Sequence, residues 1–207
     1  MVFKNFFLRF FLSLLLISLY FYISTKDSFL LLYFVSLIYF IIFIEIIMNF
    51  KNNKILILLY LLLSYCFFLI IYFSGVNLIN FNLMILIIIT FDTFSYIVGT
   101  IFGKNKILKN ISPNKTYEGF LGGLFISFVL SFFYLHIYNI KLNFIFFVFF
   151  IVVTTFSFLG DLFQSYFKRI NNIKNSSNFL PGHGGFFDRF DSFILVIISY
   201  FFLNNLL

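Results

Sequence analysis

The sequence predicts an all-α fold, a polytopic membrane bundle of about seven transmembrane helices with its N-terminus on the cytoplasmic side. Three observations carry this expectation. Of 207 residues, 62% are hydrophobic and only 10% are charged, far below the roughly 25% charge of an ordinary soluble domain. The apolar residues fall in runs close to the ~20 residues that a helix needs to cross a bilayer core. The basic residues between those runs segregate to alternate sides of the predicted spans.

The first run, 6–24, follows Lys4 and Arg9. No small-residue cleavage site comes after it, so it is expected as an uncleaved span rather than a signal peptide. Further runs cover roughly 28–48, 55–74, 82–103, 119–138, 143–161 and 187–204. No alternation of period two appears, and in lipid every backbone group must be paired, which leaves helices. With the N-terminus inside, twelve of the fourteen Lys and Arg residues fall on the inner side and only Lys26 and Lys141 fall outside. That split places the polar loops 104–118 and 162–189 in the cytoplasm and makes the cell (inner) membrane the expected location. Residues 1–207 are expected as one membrane domain, with N-terminal spans in 1–80 and the chemistry-bearing part in 82–207.

The net charge of +7 is accounted for by these loops, so nucleic acid is not an expected partner. The single cysteine, Cys66, excludes an intrachain disulfide and a zinc site of the usual kind, and is expected as a small buried hydrophobe. His136 is expected to be structural. Glycines Gly99/Gly103 and Gly119/Gly122/Gly123 offer close helix contacts, through which a homodimer is conceivable.

Polar chemistry concentrates in 161–192, DLFQSYFKRINNIKNSSNFLPGHGGFFDRFDS, which holds three of the chain's seven carboxylates and three of its ten glycines. If the helix carrying Asp161 continues, Ser165, Lys168 and Arg169 follow at i+4, i+7 and i+8, setting an acid, a hydroxyl and two cations on one face. A carboxylate at a membrane edge is costly unless it is partnered. In LPGHGGFFDRFDS, Pro181-Gly182 and Gly184-Gly185 force a tight, open backbone whose N–H groups can approach a phosphate just before a helix. Asp188 and Asp191 are spaced i, i+3 with Arg189 between them, a hard-oxygen arrangement suited to Mg²⁺. His183, between the glycines, reads as a hydrogen-bonding group. In ISPNKTYEGFLGG, Ser112-Pro113 is expected as N-cap and first helical residue, with Lys115, Thr116 and Glu118 at the helix start as an anion cradle. Asp92 lies near the middle of a span, where a charge costs at least ~2.5 kcal/mol on insertion scales and calls for a polar cavity or a partner. Glu45, near the inner end of the second span, is expected to pair with a lysine.

These clusters resemble the signature of the phosphatidate cytidylyltransferases, the CDP-diacylglycerol synthases. The family's pattern is met at Ser165, Lys168, Arg169, Lys174, Pro181, Gly182, His183, Gly184, Gly185, Asp188, Arg189 and Asp191. FDTFSY (91–96) and ISPNKTYEG (111–119) look like its upstream blocks. Two departures stand out: Asn175 replaces the family's aspartate after Lys174, and the chain is shorter than bacterial members usually are. The resemblance implies transfer of the cytidylyl group of CTP to phosphatidate, with Mg²⁺ held by Asp161 and Asp188 and Asp191 near them. Lys168, Arg169 and Arg189 would then neutralise the reacting phosphates. Asp92, Ser112, Lys115, Thr116, Glu118, Ser165, Lys174, His183, Gly184 and Gly185 would contact substrate. A different lipid phosphate, such as a prenyl-glycerol phosphate, and a non-catalytic membrane protein of the same fold are the competing readings.

Overall fold

Apolar runs of this length become helices because lipid offers the backbone no other partner, and they stop where polar side chains can take over the free ends. The computed structural model describes Leu15 and residues 18–24, 28–108, 111–179 and 184–204. Helix α1 is described over residues 18–24. It is followed by α2 (Ser28–Asn49), α3 (Lys54–Phe73), α4 (Leu78–Phe102), α5 (Tyr117–Ile137), α6 (Phe144–Ile170) and α7 (Phe187–Asn204). Among the described residues, α2 through α6 are the five helices long and apolar enough to cross a membrane. These five mark the chain, by length and composition, as an integral membrane protein. Helix α7 has span length but carries Asp188, Arg189 and Asp191 in its first turns. The first expected span lies largely outside the described residues.

Asparagine marks several helix ends. Asn53, Asn139 and Asn172 each adopt a positive φ of 54°, a conformation asparagine tolerates better than most residues. After α6, the Ile173 N–H donates to the Lys168 carbonyl at 3.1 Å, the closing bond of a helix that turns back on itself. Helix α4 is capped by Asn77, whose side chain accepts the N–H groups of Ile79 and Asn80.

Residues 106–116 depart from the sequence expectation. Ser112-Pro113 does not open a helix. It lies in a strand, β2 (Ser112–Thr116), paired antiparallel with β1 (Lys106–Leu108), so that Lys106 faces Thr116 and Leu108 faces Ser112. Helix α5 begins four residues later than expected, because Thr116 is the cap: its hydroxyl accepts the Gly119 N–H at 3.1 Å. Glu118, in the first turn, accepts the Lys104 and Asn105 N–H groups at 3.1 and 3.2 Å. The Tyr117 N–H donates to the Asn105 carbonyl at 2.9 Å. Together these bonds fasten the base of the hairpin to the start of α5.

The chain divides into two compact units, one of Met1–Cys66 and Phe167–Phe190, the other of Phe67–Tyr166 and Asp191–Leu207. In the first, α2 exposes Phe29, Tyr33, Leu37 and Phe40 and buries Leu31, Val35, Ile38, Ile42 and Ile46. Both faces are apolar at helical spacing, as expected of a helix with one side on protein and one on lipid. Tyr39 and Ser64 share a hydroxyl hydrogen bond of 2.6 Å, and Ser36 and Tyr65 one of 3.0 Å, joining α2 to α3. The Asn171 side-chain oxygen accepts the Lys51 and Asn52 N–H groups at 2.8 and 2.7 Å, fixing the end of α6 to the α2–α3 turn. Cys66 is exposed, a correction to its expected burial. On a chain whose outer surface is itself apolar, an apolar run does not distinguish inside from outside.

In the second unit, α4 and α5 approach within glycine distance. A Cβ on Gly119 would meet the Ser95 carbonyl at 2.5 Å and Gly99 Cα at 2.9 Å. The glycines that the sequence offered as a dimer contact are therefore used inside the chain. Phe81 packs edge-on against Phe193 and Tyr200, and Tyr200 against Phe149, tying α4, α6 and α7 through buried aromatic rings.

Candidate active site

The continuous stretch 161–192 is shared between the two units. Residues 167–190 belong to the first, and Asp161, Ser165, Asp191 and Ser192 belong to the second.

In the first unit, α6 runs on through Lys168 and Arg169 to Ile170, and α7 begins at Phe187. Lys168 Nζ lies 2.8 Å from Asp188 Oδ1, with the side chains only 18% and 9% exposed. The other oxygen, Asp188 Oδ2, accepts the Ser176 N–H at 2.7 Å, the Ser176 hydroxyl at 3.0 Å and the Gly185 N–H at 3.1 Å. Two signature residues twenty positions apart thus form a shielded ion pair, and Gly185 is folded onto the carboxylate. Gly185 is required for that fold, because a Cβ there would collide with the Ser176 hydroxyl and reach 2.5 Å from a Glu45 carboxylate oxygen. Gly184 is buried, while Arg169, Lys174 and Arg189 are exposed. His183, with Pro181 and Gly182, lies outside the described residues.

Among the described residues, no lysine pairs with Glu45. Its fully buried carboxylate accepts the Ser177 hydroxyl at 2.7 Å, the Phe186 N–H at 2.8 Å, the Phe187 N–H at 2.9 Å and the Ser176 hydroxyl at 3.2 Å. The sequence showed a carboxylate needing a partner but gave no sign that the partners would be backbone N–H groups at the mouth of α7.

In the second unit, Asp92 accepts the Ser157 hydroxyl at 3.0 Å and the Ser192 hydroxyl at 2.8 Å. The partner that its position demanded is thus a pair of hydroxyls, neither singled out from the sequence. Asp161 Oδ2 lies 2.7 Å from Lys115 Nζ. That ammonium also lies over the Phe158 ring, 4.2 Å from its centroid, and donates to the Phe158 carbonyl at 3.4 Å. Asp92, Ser112, Lys115, Thr116 and Asp161 line one recess of about 150 Å³, with Ser95, Tyr96, Phe120 and Phe158 completing its wall. Glu118 is engaged instead by the hairpin base. Ser165 is half-buried on α6, and Asp191 Oδ1 accepts the Ser192 N–H at 2.9 Å. The Asp161 side chain is 34% exposed and that of Lys115 17%, so the pair is partly open to solvent.

A divalent ion can be tested against these donors. Among the described residues no three His, Cys, Asp or Glu side chains are grouped as a ready metal cage. Mg²⁺ does not need one, since it takes one or two carboxylates and keeps waters and phosphate oxygens. Asp161 fits, because only its Oδ2 is engaged, by Lys115. Asp188 fits in donor type but would have to exchange Lys168, because both of its oxygens are already occupied.

Five helices long and apolar enough to cross a membrane define a class: an integral membrane protein, here with a carboxylate–lysine pair in each of its two units. The chain belongs to the cytidylyltransferase family, whose sequence model matches residues 1–207. It is similar to the phosphatidate cytidylyltransferase of Staphylococcus haemolyticus, 46% identical over 107 residues, which is 51% of this chain and 41% of that protein. The phosphatidate cytidylyltransferase of Bacillus subtilis is 42% identical over 113 residues, 54% of this chain and 42% of that protein. The matched stretch thus spans about two fifths of the length of these relatives.

Proposed function

We propose that this chain transfers the cytidylyl group of CTP to phosphatidate, giving CDP-diacylglycerol and pyrophosphate for phospholipid synthesis. The observation that carries the reading is family membership over the whole chain, together with 42–46% identity over half of it to proteins named phosphatidate cytidylyltransferase. The two lysine–carboxylate pairs support it, because they supply the charge such a reaction needs.

In the reaction, a phosphate oxygen of the lipid attacks the α-phosphorus of CTP. A new P–O bond forms as the bond from that phosphorus to the bridging oxygen breaks, and pyrophosphate leaves with the electron pair. The nucleophile is anionic at neutral pH, so no general base is required. The protein's task is alignment and neutralisation. Lys168, held by Asp188 at 2.8 Å, presents a fixed cation, and Arg169 and Arg189 add charge near it. Lys115 releases Asp161 to take a phosphate oxygen in the recess, where Ser112 and Thr116 offer hydroxyls. Asp161 and Asp188 would be the carboxylates for Mg²⁺, with Asp191 as a further candidate, and the ion would supply Lewis-acid neutralisation of phosphate oxygens. The charge distribution of the loops supports a cytoplasmic setting for this chemistry, the side of the cell membrane where CTP is found.

The test is to incubate the purified chain in lipid micelles with CTP and a panel of lipid phosphates. CDP-diacylglycerol should form with phosphatidate. Product with a prenyl-glycerol phosphate and none with phosphatidate would move the substrate assignment to that lipid.

A further inference from the structure

Glu45 stands outside the signature motif, on a different helix, and the proposed mechanism gives it no role. Yet its carboxylate is fully buried, and among the described residues no Lys, Arg or His lies within ion-pair distance of it. A buried carboxylate without a cation is expensive unless several donors converge on it. Four do: the hydroxyls of Ser176 and Ser177 and the N–H groups of Phe186 and Phe187. The two N–H groups come from the opening of α7, where helix amides lack internal partners and the dipole favours an anion. The two hydroxyls come from the segment that follows α6. One carboxylate on α2 therefore clips Ser176 and Ser177 to the opening of α7.

The clip reaches the ion pair through a shared atom. The Ser176 hydroxyl contacts Glu45 Oε2 at 3.2 Å and Asp188 Oδ2 at 3.0 Å. A hydroxyl carries one proton, so it divides its donation between the two acids and registers them against each other. The Ser176 N–H and Gly185 N–H complete the hold on Asp188, and Asp188 in turn fixes Lys168. We infer that Glu45 is a positioning residue for this site. It sets the approach of Gly185 and the first turn of α7, and through Ser176 it sets the aspartate that orients Lys168. The inference rests on the proposed cytidylyl transfer only for its catalytic consequence. The clip itself is readable without activity.

Glu45→Gln and Glu45→Ala test it in the full chain in lipid micelles, by hydrogen exchange and by steady-state kinetics with CTP and phosphatidate. Glu45→Gln keeps the shape but presents an amide to donors that require an acceptor. The expected result is faster exchange by tenfold or more, confined to 176–188, with α4 and α5 unchanged. With it, kcat should fall at least tenfold while KM for CTP changes less than threefold. A role in general stability alone would raise exchange throughout and leave kcat per folded molecule unchanged, and that result overturns the inference. So does exchange and kcat within twofold of the parent in Glu45→Gln, which decides the matter should Glu45→Ala fail to fold. If the parent chain makes no CDP-lipid, the proposed function fails, and local exchange in 176–188 still accepts or rejects the clip.

Discussion

Replacing Lys168 with methionine removes the cation of the most shielded ion pair described and keeps the length of its stem. The pair is 2.8 Å long, with side chains 18% and 9% exposed. Removing one partner of a fully buried pair costs roughly 3–5 kcal/mol, because the remaining charge is left uncompensated. Here Asp188 Oδ2 keeps three donors, Ser176 N–H, Ser176 hydroxyl and Gly185 N–H. The cost should therefore be nearer that of one hydrogen bond to a charged group, about 1.5–3 kcal/mol. Asp188→Asn is expected to be comparably damaging. Whichever way its amide turns, an NH₂ faces either the Lys168 ammonium or the Ser176 and Gly185 N–H groups. A double-mutant cycle in lipid micelles, read by denaturant titration, should give a coupling of about 1–3 kcal/mol between the two positions. Turnover of Lys168→Met should fall by about 10²-fold or more, the scale seen when a preorganised charge is removed from a transition state. Additivity of the single mutants within about 0.5 kcal/mol, with turnover unchanged, would refute the reasoning that this pair is both shielded and functional.

Other outcomes follow from the second unit. Gly119→Ala drives a methyl into the Ser95 carbonyl and Gly99 Cα and should destabilise the chain by about 1–3 kcal/mol in the same titration. Ser192→Ala removes one of the two hydroxyls that Asp92 accepts and should cost about 1.5–3 kcal/mol, with Ser157→Ala similar. Lys115→Ala leaves Asp161 without its ion-pair partner and should raise KM for a phosphate-bearing substrate at least tenfold, with a weaker dependence on ionic strength than the parent. Chelation of divalent ions with EDTA should abolish CDP-lipid formation, and added Mg²⁺ should restore it.

Much of the frame was legible because apolar runs of span length permit little besides helix. The continuation of α6 to Ile170 could also be read, since acid, hydroxyl and cations recur there at helical spacing. The pairing of Lys168 with Asp188 was not read, since the motif set Lys168 against phosphate and Asp188 against a metal ion and gave no sign that the two would meet each other. The hairpin at 106–116 was not legible, because β2 contains Pro113 and Asn114 and lacks the alternation of an ordinary strand. Glu45 was misread because sequence reveals charges but not free backbone N–H groups, so a lysine was the only visible partner. Cys66 was misread because apolar surroundings mean burial in water and not in lipid. The partition of 161–192 between two units could not be read either, since chain continuity hides where each end of a loop packs.

The most direct measurement follows label from CTP into lipid. The purified chain, phosphatidate and Mg²⁺ are supplied in parallel with CTP labelled at the α- or the γ-phosphate. The account requires label in CDP-diacylglycerol from the α position only, label in pyrophosphate from the γ position, and loss of both in Asp188→Asn. Lipid labelled from the γ position, or no lipid product with a correctly folded parent chain, would contradict it.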